Sequence, residues 1–272
     1  MPKVALPAEL SCDVVRFLDR ATDKQTLFAC SLTCKAFLSI SRKTIFDQVE
    51  LFWPPADCSF NARFLNLIRV SPELGSAVRQ LQLTFTRLDD DIYIPDSAAC
   101  LALFTNVTDL RIRYVNWNDI DADSRTVLVS GFQTVKRLEM TYPKFKSSND
   151  TTDFISSFPL LTHLHIDGDA WMSLSQNPTY SPLPVNLTTV CVSAHNAGVL
   201  AELIRIKPHP LVRNLSLDFN SDDYNYNVAA LLQSIGDDLQ ELTFMNCMAT
   251  MAGARALRST QGEPEFAHGT PS

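Results

Sequence analysis

The sequence predicts an α/β protein: a short all-α N-terminal segment, then a solenoid of repeated units carrying a curved parallel sheet. Three observations predict it. An apolar triplet recurs seven times through the last three quarters of the chain at intervals of 25–29 residues. Two stretches before it have helical apolar spacing, and a Pro-Pro step separates them from the repeats.

The N-terminal stretch opens with Leu6-Pro7, and Pro is tolerated in a first helical turn because its missing N–H would be unpaired there anyway. Leu6, Leu10, Val14 and Leu18 recur every four residues, with Val15 beside them, which makes one apolar helix face. Ala21-Thr22-Asp23 interrupts the run, and Thr22 or Asp23 is placed to cap a second helix. On that helix Leu27, Cys30, Cys34, Phe37 and Leu38 fall on one side, and Phe28, Leu32, Ala36 and Ile40 on the other. A helix apolar on both sides has to be covered on both sides. A segment this short buries too little surface to do so alone, so the rest of the chain or a second protein must supply the cover.

These residues carry a resemblance. Leu6-Pro7-x-Glu9-Leu10, Val14 or Val15, Leu18, Asp23, Leu27 and Cys30-Ser31-Leu32-Thr33-Cys34-Lys35 resemble an F-box. The continuation Ser39-Ile40-Ser41-Arg42, Ile45-Phe46 and Val49 to Leu51 is similar to the version common in basidiomycete fungi. The aromatic after the Cys-Lys pair, often Trp in that family, is Phe37 here and lacks the indole N–H donor. The resemblance covers residues 6–51. It implies docking to a Skp-type adaptor and, through it, to a cullin, with Leu6, Pro7, Leu10, Val14, Leu18, Leu27, Cys30, Cys34 and Phe37 as the contacts.

Pro54-Pro55 stops helix and sheet alike, so residues 53–60 are expected as a stiff linker. Residues 59–70 have helical spacing at Phe60, Phe64, Leu67 and Ile68. The triplets follow. Each is an apolar residue, a second three positions on, and a third two further, with the central member at 81, 110, 138, 164, 190, 215 and 242. Each triplet is expected as a short strand whose alternate residues enter the core. One such unit cannot bury its face alone, so neighbours must stack. A period in the twenties around an LxxLxL core resembles leucine-rich repeats in degenerate form, because the asparagine of that family's pattern is mostly missing.

Between triplets, residues 96–104, 123–132, 151–158, 196–206 and 225–235 are expected as helices, and the Pro-rich residues 176–185 as irregular. Residues 253–272 lose the pattern and read as a disordered tail. The expected domains are therefore 1–52 for the F-box helices, 53–60 for the linker, 61–250 for about seven repeats and 251–272 for the tail.

Composition narrows the function. At 46% hydrophobic and 19% charged, the 272 residues describe a folded chain. The net charge is −7, with the acidic excess beyond residue 50, which argues against nucleic acid as the main ligand. No run approaches the roughly 20 apolar residues of a membrane span, and the first ten residues do not read as a secretory signal. Seven unpaired-looking Cys suit a reducing cytoplasm or nucleus.

In a curved sheet the residues alternating with the core Leu would line the open face. Arg111, Arg113 and Arg137, with Glu139 and His165 beside them, are the candidate target-binding residues, the guanidinium groups suiting a carboxylate or phosphate. His163-x-His165-x-Asp167 sets three potential ligands on one strand, but an extended strand seldom wraps a tetrahedral ion, and no metal or other cofactor is expected. No nucleophile–base constellation and no Gly-rich phosphate loop are legible, so no enzymatic activity is expected. The resemblance implies a substrate receptor of a Skp–cullin–F-box ubiquitin ligase. The other reading is a repeat scaffold that binds partners without ubiquitin transfer.

Overall fold

In the computed structural model, residues 13–245 are described, apart from 16, 21, 34, 54–59, 86–96, 121, 169–180, 194–195, 207–209 and 220–227. Leu6, Pro7, Leu10, Cys34, most of the linker and the tail lie outside the described residues. Two helices come first, α1 (Lys24–Ser31) and α2 (Lys35–Phe46). Strand β1 (Gln48–Trp53) follows, then α3 (Phe60–Val70), α4 (Pro72–Ala77) and β2 (Gln80–Phe85). The chain then alternates: α5 (Ser97–Leu101), β3 (Asp109–Arg113), α6 (Ala122–Ser130), β4 (Arg137–Thr141), α7 (Ser148–Ser156) and β5 (His163–Asp167). It ends with β6 (Thr189–Ser193), α8 (Ala197–Ile204), β7 (Asn214–Asp218), α9 (Val228–Ile235) and β8 (Glu241–Met245).

Among the described residues, eight strands form one open parallel sheet, in chain order from β1 to β8. The register aligns the central triplet residues, so Leu81, Leu110, Leu138, Leu164, Val190, Leu215 and Leu242 stand side by side. Every junction is made the same way. The carbonyl preceding a strand accepts two consecutive N–H groups from the chain entering the next strand. Asp47, Arg79, Thr108, Lys136, Thr162, Thr188 and Arg213 play this part in turn, at 2.7–3.0 Å. The repetition therefore resides in backbone geometry that side chains need not specify, so the units hold together without a repeated asparagine.

Burial alternates along β3, β5 and β7, where the core residues are buried and the residues between them half-exposed. Helices on both faces of a sheet would bury both sets. The return segments therefore cover one face and leave the other open. The covered face is a continuous core from Val49 to Ile235, with Phe104, Phe132, Phe154 and Phe158 among its largest buried side chains. α1 packs on α2, and α2 on α4. Ring contacts from Phe46 to Phe64 and from Phe64 to Phe104, at 5.8 and 6.4 Å, tie α2 through α3 to the buried segment after α5.

Two expectations need correction. The single helix expected through residues 27–40 is two helices. Leu32 N–H and Thr33 N–H bond to the carbonyls of Ala29 and Cys30, three residues back, which tightens the end of α1. Ser31 and Thr33 hydroxyls donate to the Phe28 and Cys30 carbonyls at 2.6 and 2.7 Å, offering the backbone an alternative to helix. The two-sided face drawn through a continuous helix therefore does not exist as such. Second, the boundary placed at residue 52 falls inside β1, which adds a strand before the seven expected, giving eight among the described residues. Phe46, Val49 and Leu51 have the triplet spacing themselves, a signal masked by their similarity to the end of an F-box.

Candidate functional site

The first candidate surface is on the N-terminal helices. Val15 and Leu27 are fully buried there. Leu27, expected as a contact residue, thus faces its own helices. Of the other expected contacts within the described residues, Val14 is exposed, and Leu18, Cys30 and Phe37 are half-buried. The most exposed apolar side chains are ones that sequence reasoning did not select: Phe17 at 88% and Leu32 at 86%, with Phe28 also exposed. Phe17 lies off the four-residue stripe of Leu6, Leu10, Val14 and Leu18, and an aromatic off the stripe but inside the same helical run was the available signal. Asp23 takes the N-cap position of α1, yet its carboxylate accepts from the Asp19 N–H at 2.9 Å and leaves the helix N–H groups alone.

The second candidate is the open face of the sheet. Its rows align across strands, and its charges are largely matched in place. Arg111 Nε lies 3.2 Å from Glu139 Oε2, directly opposite on the next strand. Arg137 Nε lies 3.5 Å from Asp109 Oδ1, again a directly opposed pair. Glu50 accepts from Gln82 Nε2 in the same manner. Such cross-strand pairs contribute a few tenths of a kcal/mol to about 1 kcal/mol each. Two of the three arginines expected to meet an anionic target are therefore already paired with carboxylates. Arg113 differs, since its Nε is buried with no hydrogen-bond partner among the described residues. Gln82 and Ser193 are buried although they belong to the open rows, so this face is not uniformly solvated.

His163, His165 and Asp167 alternate along β5. His163 Nδ1 lies 2.8 Å from Thr162 Oγ1. Burial, and then the Arg137 charge, push the His163 pKa below the ordinary imidazole value, against a smaller opposing pull from Asp109. Cys191, beside His165 on the next strand, has its thiol pushed up to about 11 by burial and by the carboxylates of Asp218, Asp167 and Glu139. At neutral pH it is a protonated thiol, the opposite of an activated nucleophile. Among the described residues, no three His, Cys, Asp or Glu side chains gather as an ion site, and no helix is long and apolar enough to cross a membrane.

At the ends of β3 and β4 the chain turns through left-handed backbone at Tyr114 (φ 56°) and Tyr142 (φ 49°). The equivalent position after β5 is Gly168, at φ 91°. The two exposed Tyr rings stack, 5.8 Å apart and 8° from parallel. A Cβ on Gly168 would stand 2.9 Å from the Tyr142 ring, so the third position has to be glycine. After Tyr114 the turn sends Val115 and Trp117 into the helical layer, where Trp117 meets Phe145 and Phe154.

No protein-family model matches the chain, and no curated protein matches it. The fold and the two surfaces define an α/β protein with a sequential parallel sheet, open on one face, that carries a small helical appendage with exposed apolar side chains.

Proposed function

We propose that this chain is the substrate-recognition subunit of a Skp–cullin–F-box ubiquitin ligase. Its N-terminal helices would be an F-box, and β2 to β8 with their return segments a degenerate, curved leucine-rich-repeat solenoid. The observation that carries this reading is the exposure of Val14, Phe17, Phe28 and Leu32 in an N-terminal segment whose sequence resembles an F-box. Large apolar side chains concentrated on one small unit mark a surface for a partner. Among the described residues of that unit, Val15 and Leu27 are the fully buried hydrophobic side chains, and an adaptor would complete the cover. The sequential strand order and the seven equivalent junctions support the repeat reading.

The repeats would hold a target protein close to the ubiquitin-charged enzyme, so that proximity does the work and this chain contributes no chemistry of its own. Arg113 is the primary target-binding cation on the open face. The Arg111–Glu139 and Arg137–Asp109 pairs precede it along β3 and β4, with His165 on β5. The protein acts in the cytoplasm or nucleus, where its thiols stay reduced.

Co-expression with a fungal Skp adaptor and size exclusion tests this. Co-elution at one-to-one is expected, and Phe17→Asp or Leu32→Asp should abolish it without unfolding the chain, because both positions are exposed. A folded wild type that never co-elutes would overturn the reading. An adaptor complex that recruits no cullin would leave a protein-binding scaffold without ubiquitin transfer.

A further inference from the structure

The N-terminal helices and the first strand enclose a half-open groove of about 990 Å³. Phe28, Ile45, Phe46, Phe64 and Leu67 supply its apolar lining. Backbone runs along one wall, since Gln48, Val49 and Glu50 of β1 also line it. Among the described residues, β1 is the first strand of the sheet and pairs only with β2.

The phase of that pairing decides which backbone groups face the groove. The Asp47 carbonyl accepts from β2. Groups alternate along a parallel ladder, so the odd-numbered residues of β1 bond to β2. Gln48, Glu50 and Phe52 therefore turn their N–H and C=O groups to the free edge. The Phe52 carbonyl confirms the phase, because Asn61 Nδ2 of α3 donates to it from the far side at 3.2 Å. The N–H and C=O groups of Gln48 and Glu50 have no hydrogen-bond partner among the described residues. Unpaired strand edges are templates for another strand.

Charge adds a preference. Arg20, Lys24 and Arg63 stand in the groove wall against Asp19 and Glu50, and the Glu50 carboxylate already accepts from Gln82. Lys24 and Arg63 have no ion-pair partner among the described residues.

We infer that the free edge of β1 takes an extended segment of a partner protein as a further strand, and that this segment alternates apolar and acidic residues. Its backbone pairs with Gln48 and Glu50, its apolar side chains seat in the groove and its carboxylates meet Arg63 and Lys24. A second copy of this chain fits poorly. Two-fold pairing through β1 would set the same cations against one another. A compact small molecule would leave the spaced backbone groups unpaired. The inference does not depend on the F-box reading, and its test contains no adaptor.

The probe is a fluorescein-labelled heptapeptide alternating Glu and Val, titrated with the full chain by fluorescence anisotropy. Saturable binding is expected, at least about tenfold tighter than for a Lys–Val peptide. Gln48→Pro removes an edge donor while leaving the bonds to β2 in place, and Pro is tolerated at the first position of a strand. It should weaken binding about tenfold or more. Arg63→Glu should also weaken it, and provides the test should Gln48→Pro fail to fold. No saturable binding would overturn the proposal. So would equal binding of the same peptide with N-methylated backbone, which would mean charge attraction alone. A wild type that sediments as a dimer while Gln48→Pro is a monomer would give the edge to a second copy and also overturn it.

Discussion

Tyr114, Tyr142 and Gly168 occupy one position in three successive units, and their differences follow from crowding. Left-handed backbone costs a bulky residue roughly 1–3 kcal/mol, and stacking of the two rings returns about 0.5–1.5 kcal/mol of it. The third position has no room for a side chain. Gly168→Ala should therefore cost more than Gly236→Ala, since both have positive φ but only Gly168 is crowded. Urea unfolding should show about 1 kcal/mol for Gly236→Ala and roughly 2–4 kcal/mol for Gly168→Ala.

His163 gives a pH signature at the same scale. An unfolded histidine takes up its proton near pH 6.5, whereas burial and Arg137 delay this in the folded chain. The unfolded state then binds more protons between the two values, so the stability from this group is complete above pH 6.5 and is lost as the pH falls through the folded value. Wild type should lose more stability than His163→Gln between pH 7 and pH 5, measured by urea midpoint. Asp47, held up by burial, acts in the opposite sense. It is present in both proteins, so their difference isolates His163.

At the scale of elements, the N-terminal helices and the strands behave differently under substitution. Leu27→Asp places a charge in a fully buried position and should unfold the helices, whereas Leu32→Asp should leave the circular dichroism and melting temperature nearly unchanged. A binding defect in Leu32→Asp therefore reports on the surface and not on folding. α7 carries a further test, since Ser147 accepts from the Asp150 N–H as its N-cap. Ser147→Ala should cost about 1 kcal/mol.

The strands were the most legible elements, because an apolar residue at a fixed place in seven triplets sets both position and register. Helix ends were less so. The break after Ser31 depends on side-chain hydroxyls folding back onto carbonyls, which a periodic apolar pattern does not encode. β1 was legible in spacing but carried a competing resemblance. On the open face, the arginines could be placed but their partners could not. That Arg111 meets Glu139 and Arg137 meets Asp109, each pair 28 residues apart in sequence, follows only once the strands are aligned.

For the whole molecule, each unit touches chiefly its neighbours, and the sheet has two unlike ends. β1 is flanked by α3 through Asn61. At the other end, Leu242 is 37% and Phe244 51% exposed, where the matching residues of β7 are buried. Truncation to Ala should therefore cost about 2–5 kcal/mol at Leu138 and well under half as much at Leu242. Amide exchange should be fastest in β8 and slowest near β4 and β5.

The order of the strands has a further consequence during synthesis. Every strand after β1 pairs with the strand made just before it, and the alignment is fixed by a carbonyl that has already left the ribosome. Among the described strands none waits for a distant partner, so loop-closure entropy is paid in small, similar instalments. The sheet can grow one strand at a time behind the exit tunnel, with each completed unit serving as the template for the next.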